Sequence, residues 1–484
     1  MPDFSQEDVT AIIRATKAGS VIAAAGCGKT EQIVRTVKAI SDDSEVSKRC
    51  LILTHTFAGV DVLQKRLRKI NVPASSYRID TIASWCLRFS KSYPKTSGIK
   101  KVNPQSNKDW SEVYPAAVKL LGSHGIDDVI LATYTCVFVD EYQDCSASQH
   151  ELIVRLKRLV PVCIFGDPLQ SIFNFDGAVD WFDVVEKDFP NIAKLTTPWR
   201  WKKENANAEL GEKLIELRER IEAGGPLDFC VNERGVRRQW LPDDPGAKSA
   251  KVKATCLATM DLEGTLVVVA QSASEGSRAS IAKTLAKQKF AVVEPVSCKP
   301  LAKHSKSIEQ ADDAQRLKKV LDFVRLCVVG VQADFANSVR AHQEGRRAGR
   351  TKYGNLIDIG DRVAQANGMT HVPDLVEGLL ARDDVFPYRR ELLSMMFSAL
   401  RTSRATGAPL SEVAADVEAK ARHLGCHLAR RSVGSTLLLK GLEFEHVIIV
   451  EYDGMTKEDW YVALTRATQS VTVLSSQSQV SWGK

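Results

Sequence analysis

The chain of 484 residues predicts an α/β fold with parallel sheets in at least two parts, and three observations carry this prediction. Short apolar runs with the length of buried strands alternate with helical patterns through the first two hundred residues. Small or acidic residues follow several of these runs, where the ligand loops of a parallel sheet lie. Residues 300–430 show helical patterns and few strand signals, which indicates a helical insertion.

The first strand and helix enclose a phosphate-binding motif. Residues 21–24 predict a buried strand, residues 31–40 have helical spacing, and residues 23–30 between them read AAAGCGKT. Backbone N–H groups in such a loop face an anion, Lys29 neutralises the β- and γ-phosphates, and the Thr30 hydroxyl can ligate Mg²⁺. The residues of this cradle are Ala25, Gly26, Cys27, Gly28, Lys29 and Thr30.

A carboxylate pair follows a later strand. The further strands of the first part are predicted at 50–54, 136–139 and 162–165, with helices at 59–69 and 149–159. Asp140 and Glu141 come directly after the second of these strands, where they can hold Mg²⁺ and activate water. Together with the phosphate loop, the pair predicts a nucleoside triphosphatase.

A second α/β part begins near residue 195. It includes a strand at 266–269 and resumes at 435–452 and 470–475, after the helical stretch. The predicted domains are 1–194 with a short helical insertion at about 90–133, 195–300, a helical insertion at 301–430, and 431–484.

Composition narrows the class of protein. Lys and Arg number 66 against 59 Asp and Glu, and this net charge of +7 permits nucleic-acid binding without requiring it. The eleven cysteines are scattered and form no C-x-x-C pair, which favours reduced thiols over a metal cluster. No signal segment or membrane-length apolar run occurs, so a cytoplasmic protein with no membrane partner is expected.

Several motifs occur in a characteristic order. They are DEYQD at 140–144, GDPLQSIF at 166–173, PWR at 198–200, KGLEF at 440–444 and YVALTRA at 461–467. In this order and spacing the chain resembles the UvrD/Rep/PcrA group of superfamily 1 DNA helicases over almost its whole length. The resemblance implies two RecA-like P-loop domains with parallel sheets, a reduced helical insertion in the first and a helical insertion in the second.

The resemblance also implies how ATP would be bound. Gln6 would read the adenine edge, and Trp199 would stack on the adenine ring. Glu443 would approach the ribose. The preference for ATP over GTP rests on Gln6 alone.

The catalytic roles are implied in the same way. Asp140, with Thr30, would hold Mg²⁺, and Glu141 would polarise the attacking water. Gln170 would sense the γ-phosphate. Arg200 and Arg466, both from the second domain, would stabilise its charge, Arg466 as an arginine finger.

The segments that would face DNA depart from the family pattern. Residues 81–83 read TIA where the family has T-F-H, and Asp176 replaces a family arginine. Phe173, Phe175 and His55 still offer stacking faces for the bases of a single strand.

These features lead to one hypothesis and two rivals. The chain is expected to be an ATP-dependent helicase or translocase on single-stranded DNA or DNA ends, with 3′→5′ polarity taken from the family, in DNA repair or anti-phage defence. The first rival is a DNA-stimulated ATPase that does not unwind duplex. The second is a nucleotide-sensing subunit that switches a partner nuclease of the OLD type, because the compact layout resembles the helicase-like subunit of Gabija defence systems.

Overall fold

The computed structural model describes residues 6–101, 104, 107–172, 179–270, 275–295, 298–346, 350–424 and 428–482. The chain forms two compact units. The first comprises Met1–Pro226 and Thr456–Thr468, and the second comprises Leu227–Met455 and Gln469–Gly483. The predicted division at residues 194/195 differs from this partition, and the RecA-like domain bounds stay a prediction.

The first unit contains a six-stranded sheet with the order β3-β2-β4-β5-β1-β6. All of its pairings are parallel. Its strands are β1 (Ala18–Ala23), β2 (Arg49–Thr54), β3 (Tyr77–Thr81), β4 (Tyr134–Val139), β5 (Val162–Gly166) and β6 (Asn191–Leu195).

The remaining strands form a second six-stranded sheet with the order β10-β13-β9-β14-β15-β8 and two short pairs, β11 with β12 and β7 with β16. They are β7 (Leu227–Asp228), β8 (Val236–Trp240), β9 (Leu266–Val269), β10 (Phe290–Val292), β11 (Val328–Val329), β12 (Phe386–Pro387), β13 (Arg431–Gly434), β14 (Phe444–Val450), β15 (Ala467–Ser475) and β16 (Gln479–Val480). The pairings among β10, β13, β9 and β14, and that of β15 with β8, are parallel. The predicted α/β class with two parallel sheets is confirmed.

Helices surround both sheets. Those before residue 227 are α1 (Gln6–Ala15), α2 (Lys29–Ser41), α3 (Phe57–Lys69), α4 (Ile82–Ser92), α5 (Pro94–Ser97), α6 (Asn107–Ser111), α7 (Val113–Gly122), α8 (Asp127–Thr133), α9 (Ala147–Leu156), α10 (Glu186–Asp188) and α11 (Ala208–Glu222). The later ones are α12 (Pro245–Thr259), α13 (Glu275–Thr284), α14 (Lys299–Glu309), α15 (Asp313–Cys327), α16 (Asp334–Gln343), α17 (Arg350–Tyr353), α18 (Leu356–Val363), α19 (Val372–Leu380), α20 (Arg390–Thr406), α21 (Leu410–Leu424), α22 (Thr436–Leu439) and α23 (Lys457–Leu464).

The first sheet is buried on both faces, and strand β2 shows why its sequence is continuously apolar. Leu51 and Leu53 pack into the core on one face, whereas Cys50 and Ile52 pack into a separate core on the other. Successive side chains of a strand point to opposite faces, so a strand covered on both sides needs apolar residues at every position.

Helices α14–α21 account for the helical stretch predicted at 300–430, and they enclose a hydrophobic core of their own. The region predicted as a short insertion in the first part holds helices α5–α8. None of the helices within the described residues combines the length and the apolar character that a membrane span requires.

Candidate nucleotide site

The loop between β1 and α2 has a conformation that depends on two glycines. Gly26 and Gly28 have φ values of 73° and 89°, a region that glycine adopts without steric strain. A Cβ on Gly26 would lie 2.6 Å from Cζ3 of Trp201 and 2.8 Å from Cβ of Arg200. The loop is therefore closely packed at the point where α2 begins with Lys29.

The loop backbone is held from two sides within the first unit. The Arg200 amide, in the 3₁₀ turn Trp199–Lys202, donates to the Gly26 carbonyl at 3.0 Å. The Ala25 amide donates to the hydroxyl of Tyr461 on α23 at 2.9 Å. Residues far apart in the sequence thus fix the shape of the cradle.

The predicted lysine, threonine and carboxylates come together at this loop. Lys29 Nζ lies 2.5 Å from Glu141 Oε2 and 3.9 Å from Asp140 Oδ1. The Thr30 hydroxyl donates to Asp140 Oδ2 at 3.3 Å. Lys29 and Asp140 are both buried, whereas the Glu141 side chain is 38% exposed.

Burial and charge shift the ionisation of this cluster in different ways. Burial raises the pKa of Asp140 to about 6, because lost hydration outweighs the attraction of Lys29. Burial alone would lower the pKa of Lys29, yet the charges of Glu141 and Asp140 outweigh burial and raise it. Lys29 therefore remains an ammonium in the cradle. Burial raises the pKa of Cys27 to about 12, which keeps this thiol protonated.

A chain of side-chain hydrogen bonds leads away from Glu141. This residue has φ 56°, in the left-handed region that non-glycine residues seldom adopt, which marks a constrained turn after β4. The Gln143 amide donates to Glu141 Oε2 at 2.7 Å, and its oxygen accepts from the backbone amide of Asp167 at 3.0 Å. Gln170 donates to Asp167 Oδ2 at 2.8 Å.

Arg200 and Arg466 both lie in the first compact unit, whereas the sequence predicts both in the second domain. Arg200 Nη1 donates to the Thr465 carbonyl at 2.7 Å. Arg466 is 1% exposed, and its guanidinium donates to the Val462 carbonyl at 2.9 Å and to the Thr465 hydroxyl at 3.0 Å.

The structure also locates Trp199, His55 and Glu443. Trp199 is 45% exposed, and its ring lies 5.2 Å from the Lys202 ammonium. His55 Nε2 lies 3.6 Å from the Cys145 sulfur. Glu443 is exposed and belongs to the second unit.

Three predicted residues cannot be placed. The predicted DNA-stacking residues Phe173 and Phe175 lie outside the described residues, as does the side chain of Gln6.

Three residues of this site are not predicted from the sequence. Gln143 and Tyr461 stand inside the quoted motifs without a role, and Arg218 stands outside every motif. The signal for Arg218 is its position, because it shares the buried face of α11 with Leu214 and Ile221. A charged residue on such a face is unusual unless it has a buried partner.

The oxygen atoms of the site fit a magnesium ion. The Thr30 hydroxyl and the Asp140 carboxylate are the hard ligands that Mg²⁺ prefers, and they already lie within hydrogen-bonding distance of each other. Among the described residues, no group of three or more His, Cys, Asp or Glu side chains could hold a metal. In phosphate-binding sites, magnesium commonly takes its remaining ligands from phosphate oxygens and water.

The fold and the loop together define a P-loop protein of the α/β class. Residues 6–176, about a third of the chain, match the family model of an AAA domain. This match agrees with the phosphate loop and the carboxylate pair, and the chain is an ATPase of the P-loop class.

Comparison with solved structures finds helicases at low TM-scores and very low identity. The arterivirus nonstructural protein 10 helicase, in complex with DNA, shares 9% identity over 96% of this chain, with a TM-score of 0.37. This chain spans only 62% of that protein. The Pif1 helicase from Candida albicans shares 10% identity over 98% of this chain and 95% of its own, with a TM-score of 0.40. No curated protein sequence matches the chain.

Proposed function

We propose that the chain is an ATP-dependent motor on single-stranded DNA, a helicase or translocase with 3′→5′ polarity that acts in DNA repair or anti-phage defence. The observation that carries the ATPase part is the cluster in which Lys29 contacts Glu141 while Thr30 donates to Asp140. The DNA part rests on the motif order of the sequence and on the net positive charge.

In this proposal Lys29 changes partner when ATP binds. Without nucleotide its ammonium is paired with Glu141, and the phosphates offer a stronger negative charge. Transfer of Lys29 to the phosphates ends its ion pair with the Glu141 carboxylate, which then accepts the proton of the attacking water. Thr30 and Asp140 would hold Mg²⁺, which supplies positive charge to the phosphate oxygens when bound.

The remaining nucleotide contacts are proposed from the motifs. Trp199 would stack on the adenine, Gln6 would read its edge, and Glu443 would approach the ribose. Gln170, Arg200 and Arg466 would respond to the γ-phosphate. Arg466 would first have to give up its bonds to the Val462 carbonyl and the Thr465 hydroxyl.

Single-stranded DNA would stack on aromatic faces. His55, Phe173 and Phe175 are the proposed platforms, and stacking on an aromatic side chain contributes about 1–3 kcal/mol per base. Replacing Phe173 and Phe175 together by alanine should reduce the ratio of ATP hydrolysis with DNA to hydrolysis without it. An unchanged ratio would remove these residues from the proposal.

The first experiment is steady-state ATP hydrolysis with and without a single-stranded oligonucleotide at low salt, because phosphate contacts weaken as salt rises. Glu141→Gln should lower kcat by at least a hundredfold and keep ATP bound, since the amide cannot accept the proton. Glu45→Gln, at an exposed position of the same unit, is the control and should hydrolyse ATP as the wild type does.

Each outcome of this experiment has a consequence. Strong stimulation by the oligonucleotide supports the DNA motor and leads to an unwinding assay. Hydrolysis that DNA does not change favours the alternative, a nucleotide-sensing subunit that switches a partner nuclease. Wild-type hydrolysis by Glu141→Gln would refute the role assigned to this carboxylate.

A further inference from the structure

Arg218 is a buried charge in a position that packing alone would give to an apolar residue. Its side chain is 2% exposed, and it lies on the face of α11 that Leu214 and Ile221 also bury. A guanidinium in such a place is stable only if good partners replace its hydration. The identity of those partners connects Arg218 to the nucleotide site.

Arg218 Nη2 pairs with Glu222 Oε1 of its own helix at 2.9 Å, and the two other partners of Arg218 form a closed triangle with it. Arg218 Nη1 donates to Asp167 Oδ1 at 2.7 Å and to the Tyr461 hydroxyl at 2.7 Å. The Tyr461 hydroxyl donates in turn to Asp167 Oδ2 at 3.1 Å. The Asp167 side chain has no solvent exposure, so each of the three groups depends on the other two.

This triangle is attached to the phosphate loop by one hydrogen bond. The Ala25 amide donates to the Tyr461 hydroxyl, which then accepts two hydrogen bonds and donates one. That is the full capacity of a phenolic oxygen. The hydroxyl therefore has one orientation, and it fixes the position of the Ala25 amide.

The triangle is also attached to the proposed catalytic carboxylate. Asp167 accepts from the Gln170 amide, and its own backbone amide donates to Gln143. Gln143 donates to Glu141 at 2.7 Å. A continuous path of hydrogen bonds thus runs from Arg218 to both the loop and Glu141.

We propose that Arg218 is a positioning residue for ATP hydrolysis: by clamping Asp167 and Tyr461 together, it aligns the phosphate loop with Gln170 and Glu141. This inference rests on the proposed ATPase function of the site. Arg218 touches neither phosphate nor water in this role. It acts through Tyr461 on the Ala25 amide and through Asp167 on the two side chains that would face the γ-phosphate.

If Arg218 aligns these groups, its replacement should affect kcat more than ATP binding. Small displacements of catalytic groups can lower a rate about a hundredfold, whereas Lys29 and the remaining loop amides would still hold the phosphates. Arg218→Lys keeps a positive charge but loses the rigid, planar guanidinium whose Nη1 donates to both partners. We expect kcat to fall at least tenfold, with the KM for ATP changed less than threefold.

Tyr461→Phe tests the same clamp without changing a charge. The ring remains and only the hydroxyl at the centre of the triangle is lost, so the variant should fold and show a similar loss of kcat. Because the two residues act as one unit, the double variant should be no slower than the slower single variant. Arg220→Lys, at an exposed position of the same helix paired with Glu216, is the matched control and should keep the wild-type kcat.

The outcomes separate this inference from the function on which it rests. Folded Arg218→Lys and Tyr461→Phe variants with wild-type kcat, or losses that multiply in the double variant, would overturn the clamp while leaving the ATPase intact. If Arg218→Lys does not fold, Tyr461→Phe decides in the same way. Failure of the wild type to hydrolyse ATP, with or without DNA, would overturn the proposed function and the clamp together.

Discussion

Gly26 illustrates how a single missing side chain shapes the phosphate loop. Its positive φ and the closeness of Trp201 and Arg200 leave no room for a Cβ. We expect Gly26→Ala to lower the free energy of unfolding by about 2–4 kcal/mol, from backbone strain and from overpacking. The variant should also bind ATP more weakly, because the loop amides would be displaced. Urea unfolding and nucleotide titration measure the two effects.

Gly224 provides the control for that substitution. It has the same φ of 73°, but nothing lies within 4 Å of the place where its Cβ would be. Gly224→Ala should therefore cost only the backbone strain, about 1 kcal/mol, and leave ATP affinity unchanged. Equal losses of stability in the two variants would contradict the close packing described at Gly26.

Trp199 is an exposed aromatic side chain beside the loop, and its exposure suggests a role in binding instead of packing. Trp199→Ala should weaken ATP binding about two- to tenfold, as expected for the loss of one stacked ring at about 0.5–1.5 kcal/mol. Its unfolding free energy should change little. Trp240→Ala, at a 60% exposed position of the second unit, should leave affinity unchanged. Fluorescent-nucleotide titration of both variants decides the matter.

At the scale of elements, helix α9 is joined to the DEYQD turn by a buried polar network. The Tyr142 hydroxyl lies 2.8 Å from His150 Nδ1, and His150 Nε2 lies 3.3 Å from Asp188 Oδ2. Lys157 also contacts Asp188 at 2.7 Å. Burial lowers the pKa of His150, despite the opposing effect of Asp188, so the neutral imidazole is the form that the fold accommodates.

This network predicts a pH dependence of stability. The pKa of His150 in the folded state lies below its unfolded value near 6.5. The contribution of the neutral imidazole to the free energy of unfolding is therefore fully present above pH 6.5, and it is lost as the pH falls through the folded pKa. Between about pH 8 and pH 5.5, the wild type should lose more unfolding free energy than His150→Gln. His124→Gln, at an exposed histidine, should behave as the wild type does. If His150→Gln and the wild type lose equal free energy of unfolding, the fold does not disfavour the protonated imidazole of His150.

Within the second unit, Arg389 joins the helical stretch to the sheet. It lies directly before α20, its guanidinium donates to both carboxylate oxygens of Glu294 at 2.6 and 2.7 Å, and it also contacts Glu275. Arg389→Met would leave the Glu294 carboxylate buried without its cation, and we expect a loss of about 3–5 kcal/mol in unfolding free energy.

Two further variants test that explanation by urea unfolding. Arg389→Met combined with Glu294→Leu should recover most of the stability, since both charges are then removed. Arg390→Met, at the exposed neighbouring position, should change stability by less than about 0.5 kcal/mol. A double variant as unstable as the single one would show that the charges are not the cause.

The strands that the sequence predicts are mainly the inner ones. Strands β1, β2, β4 and β5 of the first sheet are recognisable as short apolar runs, because they are covered on both faces. The edge strands β3, β6 and β8 read YRIDT, NIAKL and VRRQW. Their charged residues interrupt the apolar run from which a buried strand is predicted. Charges on an edge strand discourage pairing with another chain. The same charges make the edge strand difficult to predict, because they leave no continuous apolar run.

At the scale of the whole molecule, the sequence predicts the parts of the site that lie in motifs and misses the part that depends on tertiary contacts. Lys29, Thr30, Asp140 and Glu141 follow strands, and the parallel sheet brings them to one edge. No local pattern indicates that Arg218 meets Asp167 and Tyr461, because these contacts join segments 51 and 243 residues away. Such pairings are specified by the packed fold and not by any window of sequence.

The position of Thr456–Thr468 in the first unit has a consequence for biosynthesis. Ala25 and its partner Tyr461 are 436 residues apart, so the Ala25 amide has no partner until the segment between them has been translated. At about 5–20 residues per second, the tyrosine follows the alanine from the ribosome by roughly 20–90 s. During that interval a nascent chain carries the phosphate loop without its support. ATP turnover would thus begin only after residue 461 has been translated, and chains terminated before it would carry an unfinished catalytic centre.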